Sequence, residues 1–270
     1  AVYTGIDSNW YNTETQPWRE YASRIMSSAV IDDGVAPIST QYWFNGLTNL
    51  TSADIARLDC SHTRSMKSMF GGCSSIVSLD LSNLNTTNVT DFGLMFRGCS
   101  LLSNIALDGF STESAQRTND MFSDCSSVQL LDLSKWSTDS VVTFSGMFYN
   151  CSSLTSIGDV SGWNTAKVES FESMFNGCRS LVSLASISNW DTSNATNLGG
   201  TFRYCSSLTE LPISNWEVSK SKYMQYMLQD CSSLKSVDLS KWNMLSCNST
   251  YWMFAGCSSL TSVGDISGWD

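Results

Sequence analysis

The chain has a single histidine and only three prolines in 270 residues. One imidazole, His62 in the polar stretch CSHTRS, leaves no material for a histidine-based metal cage or an acid–base relay, and it reads as an ordinary solvated corner residue. Charge is scarce as well, at 15% of residues, and it leans acidic, with a net value of −10 and no basic cluster. A nucleic-acid backbone or an anionic membrane would repel such a chain, so neither is an expected partner. No run of about 18 apolar residues occurs, so no membrane insertion is expected from this stretch. Residue 1 is Ala and no signal-peptide pattern follows, which implies that any export signal or anchor lies elsewhere or has been removed. There is no nucleophile–base motif, and serine is too abundant for any one to stand out. No catalytic residue, no cofactor and no enzymatic activity are expected. What the chain does have is 42% hydrophobic and 11% aromatic residues, ample for a core, with its polarity supplied by Ser, Thr and Asn.

Those residues are arranged in a repeat. MFGGCSSIVSL begins at Met69, MFSDCSSVQLL at Met121, MFYNCSSLTSI at Met147, MFNGCRSLVSL at Met174 and MFAGCSSLTSV at Met253. In-phase cysteines stand at Cys73, Cys99, Cys125, Cys151, Cys178, Cys205, Cys231 and Cys257, in steps of 26 or 27 residues. Such a period makes one elongated body of stacked units rather than two globular domains. After each cysteine the aliphatics alternate, as in Ile76, Leu79 and Leu81, which predicts a short strand. Trp136, Trp163, Trp190, Trp216, Trp242 and Trp269 follow at a corner that Leu84 and Phe110 fill in earlier units. Ahead of the cysteine the spacing becomes 3, 4 and 3, as in Val89, Phe92, Phe96 and Cys99, which predicts a short helical return.

The expected fold class is therefore an α/β solenoid, a right-handed superhelix with a parallel β-sheet on one face and short helical segments on the other. One further coil lies upstream, where WFNGLTNLTSADIARL from Trp43 aligns with the repeat and Leu47 takes the cysteine slot. Before it, Trp18, Tyr21, Ala22, Ile25, Met26 and Ala29 share a helical face, with Pro17 in the first turn. This predicts an N-terminal helical cap over residues 1–42 and a solenoid of about nine coils over 43–270, the last one truncated at SGWD, so that the natural protein is expected to run on.

The cysteines admit three readings. No close pair such as C-x₂-C exists, which argues against a metal. Stacked coils bring equivalent Cα atoms within disulfide range, yet in-register side chains point the same way and leave their Cβ atoms about 5 Å apart, wider than a bridge prefers. Leucine at position 47 can replace a small buried hydrophobe but not half of a bridge. A column of buried free thiols is the expectation. Cys247 falls in the phase of Val89 and is expected in the core, whereas Cys60, near a corner, is expected to be the most exposed thiol.

The phrase pattern W-x-T-S-x-V-x-x-F-x-x-M-F-x-G-C-S-S-L-x-x-L-x-L-S resembles the BspA-like leucine-rich repeat family, in the variant of about 26 residues found in surface proteins of mycoplasmas and lactobacilli. The likeness runs from Trp43 to Asp270, with departures at Thr201, Leu228 and Ser221. It implies a leucine-rich-repeat solenoid at a bacterial cell surface, extracellular and lipid- or wall-anchored through regions outside this chain. It also implies adhesion to a host extracellular-matrix, mucus or cell-surface protein or glycan through the concave or lateral face, by a monomer. A carbohydrate-binding module and a structural stalk are the alternatives.

Candidate ligand-binding residues are those between the inward aliphatics. One column holds Ser82, Asp108, Ser134, Ser161, Ser188, Ser214, Ser240 and Ser267; its neighbour holds Asp80, Asp132, Asp159, Asp238 and Asp265. They form either an acidic, hydroxylated strip for a polar or basic partner or simply the satisfied ends of tight strands. One-residue insertions in the Cys151, Cys178 and Cys257 coils predict bulges beside Asp159 and Asp265. Acids on adjoining coils have the spacing for loose Ca²⁺ binding, though supporting oxygen ligands are not evident and no metal is expected. The tryptophan column is either a buried corner or, if exposed, a sugar-stacking platform. Thr86, Thr112, Thr138, Thr165 and Thr192 form a hydroxyl row of the kind that corner turns use.

Overall fold

The computed structural model describes residues 28–31 and 35–269. Successive coils stack in register along one axis. Strands β1 (Ser28–Val30) and β2 (Ser52–Asp54) pair in parallel, and so do β3 (Ser78–Asp80) and β4 (Asn104–Ala106). The same column continues as single bridges, Leu130 to Ser156 and Ser236 to Ser262. Each strand is only three residues long because the chain turns again at once. Ala29, expected on the face of the cap helix, lies in β1 and pairs with Ala53. The helix itself, predicted from Trp18, lies outside the described residues.

The opposite face differs from expectation. Among the described residues there is no α-helix; the one helical element is a 3-10 turn over Ala185–Asn189, on the strand side. The segment predicted to return as a helix is a succession of tight turns. Its amides divide their hydrogen bonds. The N–H groups of Met66, Ser68, Phe70 and Gly72 donate to carbonyls of the next coil, those of Asp91, Gly93, Met95 and Arg97. The N–H groups between them, of Met69, Gly71 and Cys73, donate three residues back within their own coil, to Met66, Ser68 and Phe70. A continuous parallel ladder follows, running Ser39, Ser65, Asp91, Arg117, Thr143, Ser170, Asn197, Tyr223 and Ser249 through nine coils.

This turn ladder needs left-handed backbone twice per coil, four residues apart. In the Cys73 coil these are Ser68 (φ 54°) and Gly72 (φ 75°), and in the Cys178 coil Ser173 (φ 54°) and Gly177 (φ 83°). A positive φ at the third residue of a hydrogen-bonded turn is the type II signature, which favours Gly or Asn there. Each four-residue turn returns one residue to the inside, so Val89, Phe92, Phe96 and Cys99 are all buried at the spacing that reads as helical.

The core is a set of columns. Phe44, Phe70, Phe96, Phe122, Phe148, Phe175 and Phe202 stack with ring centroids 5.0–6.0 Å apart. Trp163, Trp190 and Trp216 stack beside them at 5.8 and 6.2 Å. Offset-parallel rings at such distances add roughly 0.5–1.5 kcal/mol per pair beyond burial. Each coil is shielded by the next: Leu228, Cys231, Leu234, Val237 and Leu239 are buried, while the corresponding Phe254, Cys257, Leu260, Val263 and Ile266 are half-buried.

Candidate functional site

The cysteine column explains itself through hydrogen bonds. Cys73 Sγ donates to the Phe44 carbonyl at 3.0 Å, Cys125 to Phe96 at 3.1 Å and Cys178 to Phe148 at 3.1 Å, each one coil back. All ten cysteines are free, and the thiols from Cys73 to Cys231 are fully buried. Burial pushes the Cys73 and Cys205 thiols up to about 12, so thiolate chemistry is suppressed. Cys60 departs from expectation: it is 0% exposed, and burial raises it to about 12 as well. The more accessible thiols are Cys247 and Cys257, both half-buried, so Cys247 is less enclosed than its phase implies.

The threonine and tryptophan columns are spent inside in the same way. Thr86, Thr112, Thr138, Thr165 and Thr192 each donate Oγ1 to a carbonyl of the next coil, at 2.8–2.9 Å. Trp163, Trp190, Trp216 and Trp242 are buried, and their indole N–H groups donate to carbonyls of the preceding coil at 3.1–3.2 Å. These four rings leave no face open to a sugar; Trp136 is buried as well, and Trp269 in the last coil is half-buried. The departures at Thr201 and Ser221 follow the same logic, since their hydroxyls donate to the Phe171 and Ala195 carbonyls one coil back.

On the strand face, Asp80, Asp132, Asp159, Asp238 and Asp265 are exposed, and each carboxylate accepts the backbone N–H of the serine two residues on: Ser82, Ser134, Ser161, Ser240 and Ser267. Ser82 adds its hydroxyl to Asp80 at 2.6 Å. Hydrogen bonds from these serines hold all five carboxyls below the ordinary value of 3.8. At these five coils the two predicted columns are therefore acceptor and donor of one local turn, which Asp108, Ser188 and Ser214 do not share because Ala106, Ser186 and Pro212 precede them by two.

Two depressions gather candidate residues across coils. A shallow one of about 550 Å³ is lined by Asp159, Ser161 and Ser188 together with Ser156, Ser183 and Ser186. A smaller one of about 170 Å³ takes Asp108 and Asp132 with Lys135. The insertions shape the larger one. Gly158 turns to φ 80° where a Cβ would lie 2.6 Å from Asp132 Oδ1, and in the next coil the inserted residue is taken up by the 3-10 turn. Gly264 repeats the Gly158 geometry against Asp238. Asp80, Ser82, Ser134, Ser214, Asp238, Ser240 and Asp265 line neither depression. Among the described residues no group of three or more His, Cys, Asp or Glu side chains is placed to hold a metal ion.

The turn ladder carries a cluster that the repeat reading passed over. Arg203 Cζ lies 4.7 Å from the Tyr204 and Tyr226 ring centroids, and Arg179 Cζ lies 5.4 Å from Tyr204. Tyr251 and Trp252 stack at 5.4 Å next to Tyr226. The signal was present as departure from the repeat: Arg179 stands in a column of serines, and Tyr204 in one of Gly, Asn and Asp.

The model of the family described as Mycoplasma protein of unknown function, DUF285, matches residues 38–131, 109–186 and 182–270. The chain belongs to this family. It is the BspA-like repeat type that the phrase pattern resembles. Among solved structures, a leucine-rich cell surface protein from Faecalibacterium prausnitzii is similar at 18% identity and a TM-score of 0.43, over 90% of this chain and 61% of that one. A leucine-rich repeat protein from Bacteroides ovatus is similar at 15% identity and a TM-score of 0.38, over 92% and 74%. One from Eubacterium ventriosum shows 15% and 0.37, over 97% and 89%. No curated protein matches. Among the described residues of this DUF285 chain no helix is long and apolar enough to cross a membrane.

Proposed function

We propose that this chain is a non-enzymatic, ligand-binding ectodomain of a bacterial surface protein. It holds a host extracellular-matrix, mucus or cell-surface protein against its strand face or flank, as a monomer with a cap over residues 1–42 and a solenoid over 43–270. One observation carries the reading. The thiols of the cysteine column, the indole N–H groups of Trp163, Trp190, Trp216 and Trp242 and the hydroxyls of the threonine column are engaged inside the stack, so what faces outward is a set of side chains at fixed axial spacing. A rigid ruled surface of this kind suits recognition, and recognition is set by the residues it displays.

Within the strand face, the depression around Asp159, Ser161 and Ser188 is the favoured contact, because the Gly158 turn and the 3-10 turn interrupt the regular column there. The test is a binding screen of the chain against matrix proteins and mucins, repeated with Asp159→Ala and Ser188→Trp. A protein ligand lost with these substitutions, while folding persists, supports the reading. Absence of any protein ligand favours a stalk that only holds another domain at a distance.

A further inference from the structure

We infer that the turn-ladder face between the Cys178 and Cys257 coils is a second binding site, and that it takes a carboxylate-bearing oligosaccharide. The site shares with the proposal above only the premise that the solenoid meets ligands. It lies on a different face and involves none of the strand-face residues.

Three independent observations meet there. The first is exposure: Tyr223 is 46% exposed and Tyr204 and Tyr226 are half-buried in coils covered on both sides, and Tyr251 and Trp252 of the last coil lie against Tyr226. The second is backbone strain. Tyr204 (φ 59°) holds a bulky ring in the left-handed region at a position where every other coil uses Gly, Asn or Asp, and Tyr226 (φ 61°) and Trp252 (φ 55°) do so in the other left-handed column, which elsewhere takes Gly, Ser, Asp, Tyr42 or Leu94. Large side chains in that conformation are unfavourable, and such strain gathers at ligand clamps. The third is charge. Arg179 and Arg203 make ring contacts, and no carboxylate pairs with either among the described residues, although acids exceed bases by ten in the chain. In the same coils, Arg203 Nε, Gln225 Oε1 and Gln229 Oε1 are buried without a protein hydrogen-bond partner, and Gln229 is 6% exposed.

The ligand class follows from these groups. Aromatic faces take the C–H faces of sugar rings, and a guanidinium takes a carboxylate through paired N–H donors. From Arg179 to Trp252 the patch crosses four coils, roughly 15 Å at strand-like spacing, which fits three or four sugar units. A protein partner needs about 800 Å² per side, a footprint wider than a row of rings roughly 15 Å long, whereas a short acidic glycan fits along the row.

The experiment titrates the whole chain with tetragalacturonate and with sialyllactose, using maltotetraose and lactose as neutral controls, by calorimetry. It is repeated with Arg179→Ser and Trp252→Gly, each of which restores the residue type of other coils. The expected result is saturable binding of one acidic probe, at least about tenfold tighter than its neutral control and weakened by salt. Each variant is expected to lose about tenfold or more, with Tm held within about 3 °C. No acidic probe binding at millimolar concentration overturns the inference, as do equal binding of neutral sugars and variants that bind undiminished. Glycan binding lost instead with Asp159→Ala also overturns it, while leaving the strand-face proposal standing. A protein ligand lost with Arg179→Ser and Trp252→Gly, in a chain that binds no glycan, overturns the ligand class.

Discussion

A single thiol shows why the repeat keeps cysteine rather than alanine or leucine. Cys178 is small enough for the space beneath the Phe148–Phe175 stack, and its S–H reaches a carbonyl that the turn leaves facing inward. Cys178→Leu overpacks that space and is expected to destabilise by about 1–3 kcal/mol in a denaturant melt. Native-state alkylation is expected to modify Cys247 and Cys257 first, with Cys60 and the column from Cys73 to Cys231 reacting only after unfolding, as mass spectrometry would show. The raised thiols also set an alkaline limit. The unfolded chain ionises them above about 9, the folded chain only near 12 for Cys60, Cys73 and Cys205, so their contribution is whole below pH 9 and is lost as pH rises towards 12. The strand-end aspartates act in the opposite sense. Their carboxyls are depressed below 3.8, so their stabilisation is present above that pH and disappears as pH falls through the folded values. Combined Asp→Asn changes at Asp80, Asp132 and Asp238 are expected to keep the turns and to flatten the fall of Tm below about pH 4.

At the scale of the element, the turn ladder is where sequence reading and structure part. The 3, 4, 3 spacing of Val168, Phe171, Phe175 and Cys178 correctly named the buried residues and mistook the backbone that delivers them. A helix would keep its hydrogen bonds within the coil. Here the N–H groups of Phe171, Ser173, Phe175 and Gly177 cross to Asn197, Gly199, Thr201 and Arg203 of the next coil, which is open to them only once coils stack. A local sign did exist: the residue before each cysteine is Gly, Asn or Asp in every unit except at Tyr204, which is the mark of a left-handed position. Gly177→Ala tests this directly. Its Cβ would sit at φ 83° and 2.5 Å from Asn150 Oδ1, and a loss of about 1–2 kcal/mol or more is expected. Leu94→Gly at φ 62° is expected to be neutral or stabilising by up to about 1 kcal/mol. A helical return would give the reverse order.

For the whole molecule, contacts run from each coil to its neighbours, as the single ladder through nine coils requires. Stability is then close to a sum of coil and interface contributions. Deletion of one full period, residues 126–151, rejoins Cys125 to Ser152 in phase. It is expected to leave a cooperative melt at lower Tm. Deletion of half that length puts Phe and Trp columns against polar corners and is expected to abolish the melt by circular dichroism. The strand-face candidates were legible as columns, since period alone places Asp132 beside Asp159. Which of them share a depression was not, because that depends on how the chain absorbs one extra residue at Gly158 and at Ala185–Asn189.

The sequence by itself determined the period, the stacking axis, the buried columns and the free thiols, because each follows from side-chain chemistry repeated at a constant interval. Only the tertiary structure decided how the return segment is hydrogen-bonded, that Cys60 is enclosed, and that Arg179, Arg203, Tyr204, Tyr226 and Trp252 meet on one face. Those outcomes depend on the neighbouring coil, which supplies the carbonyls, the walls and the partner rings, and no single repeat carries that information in its own residues.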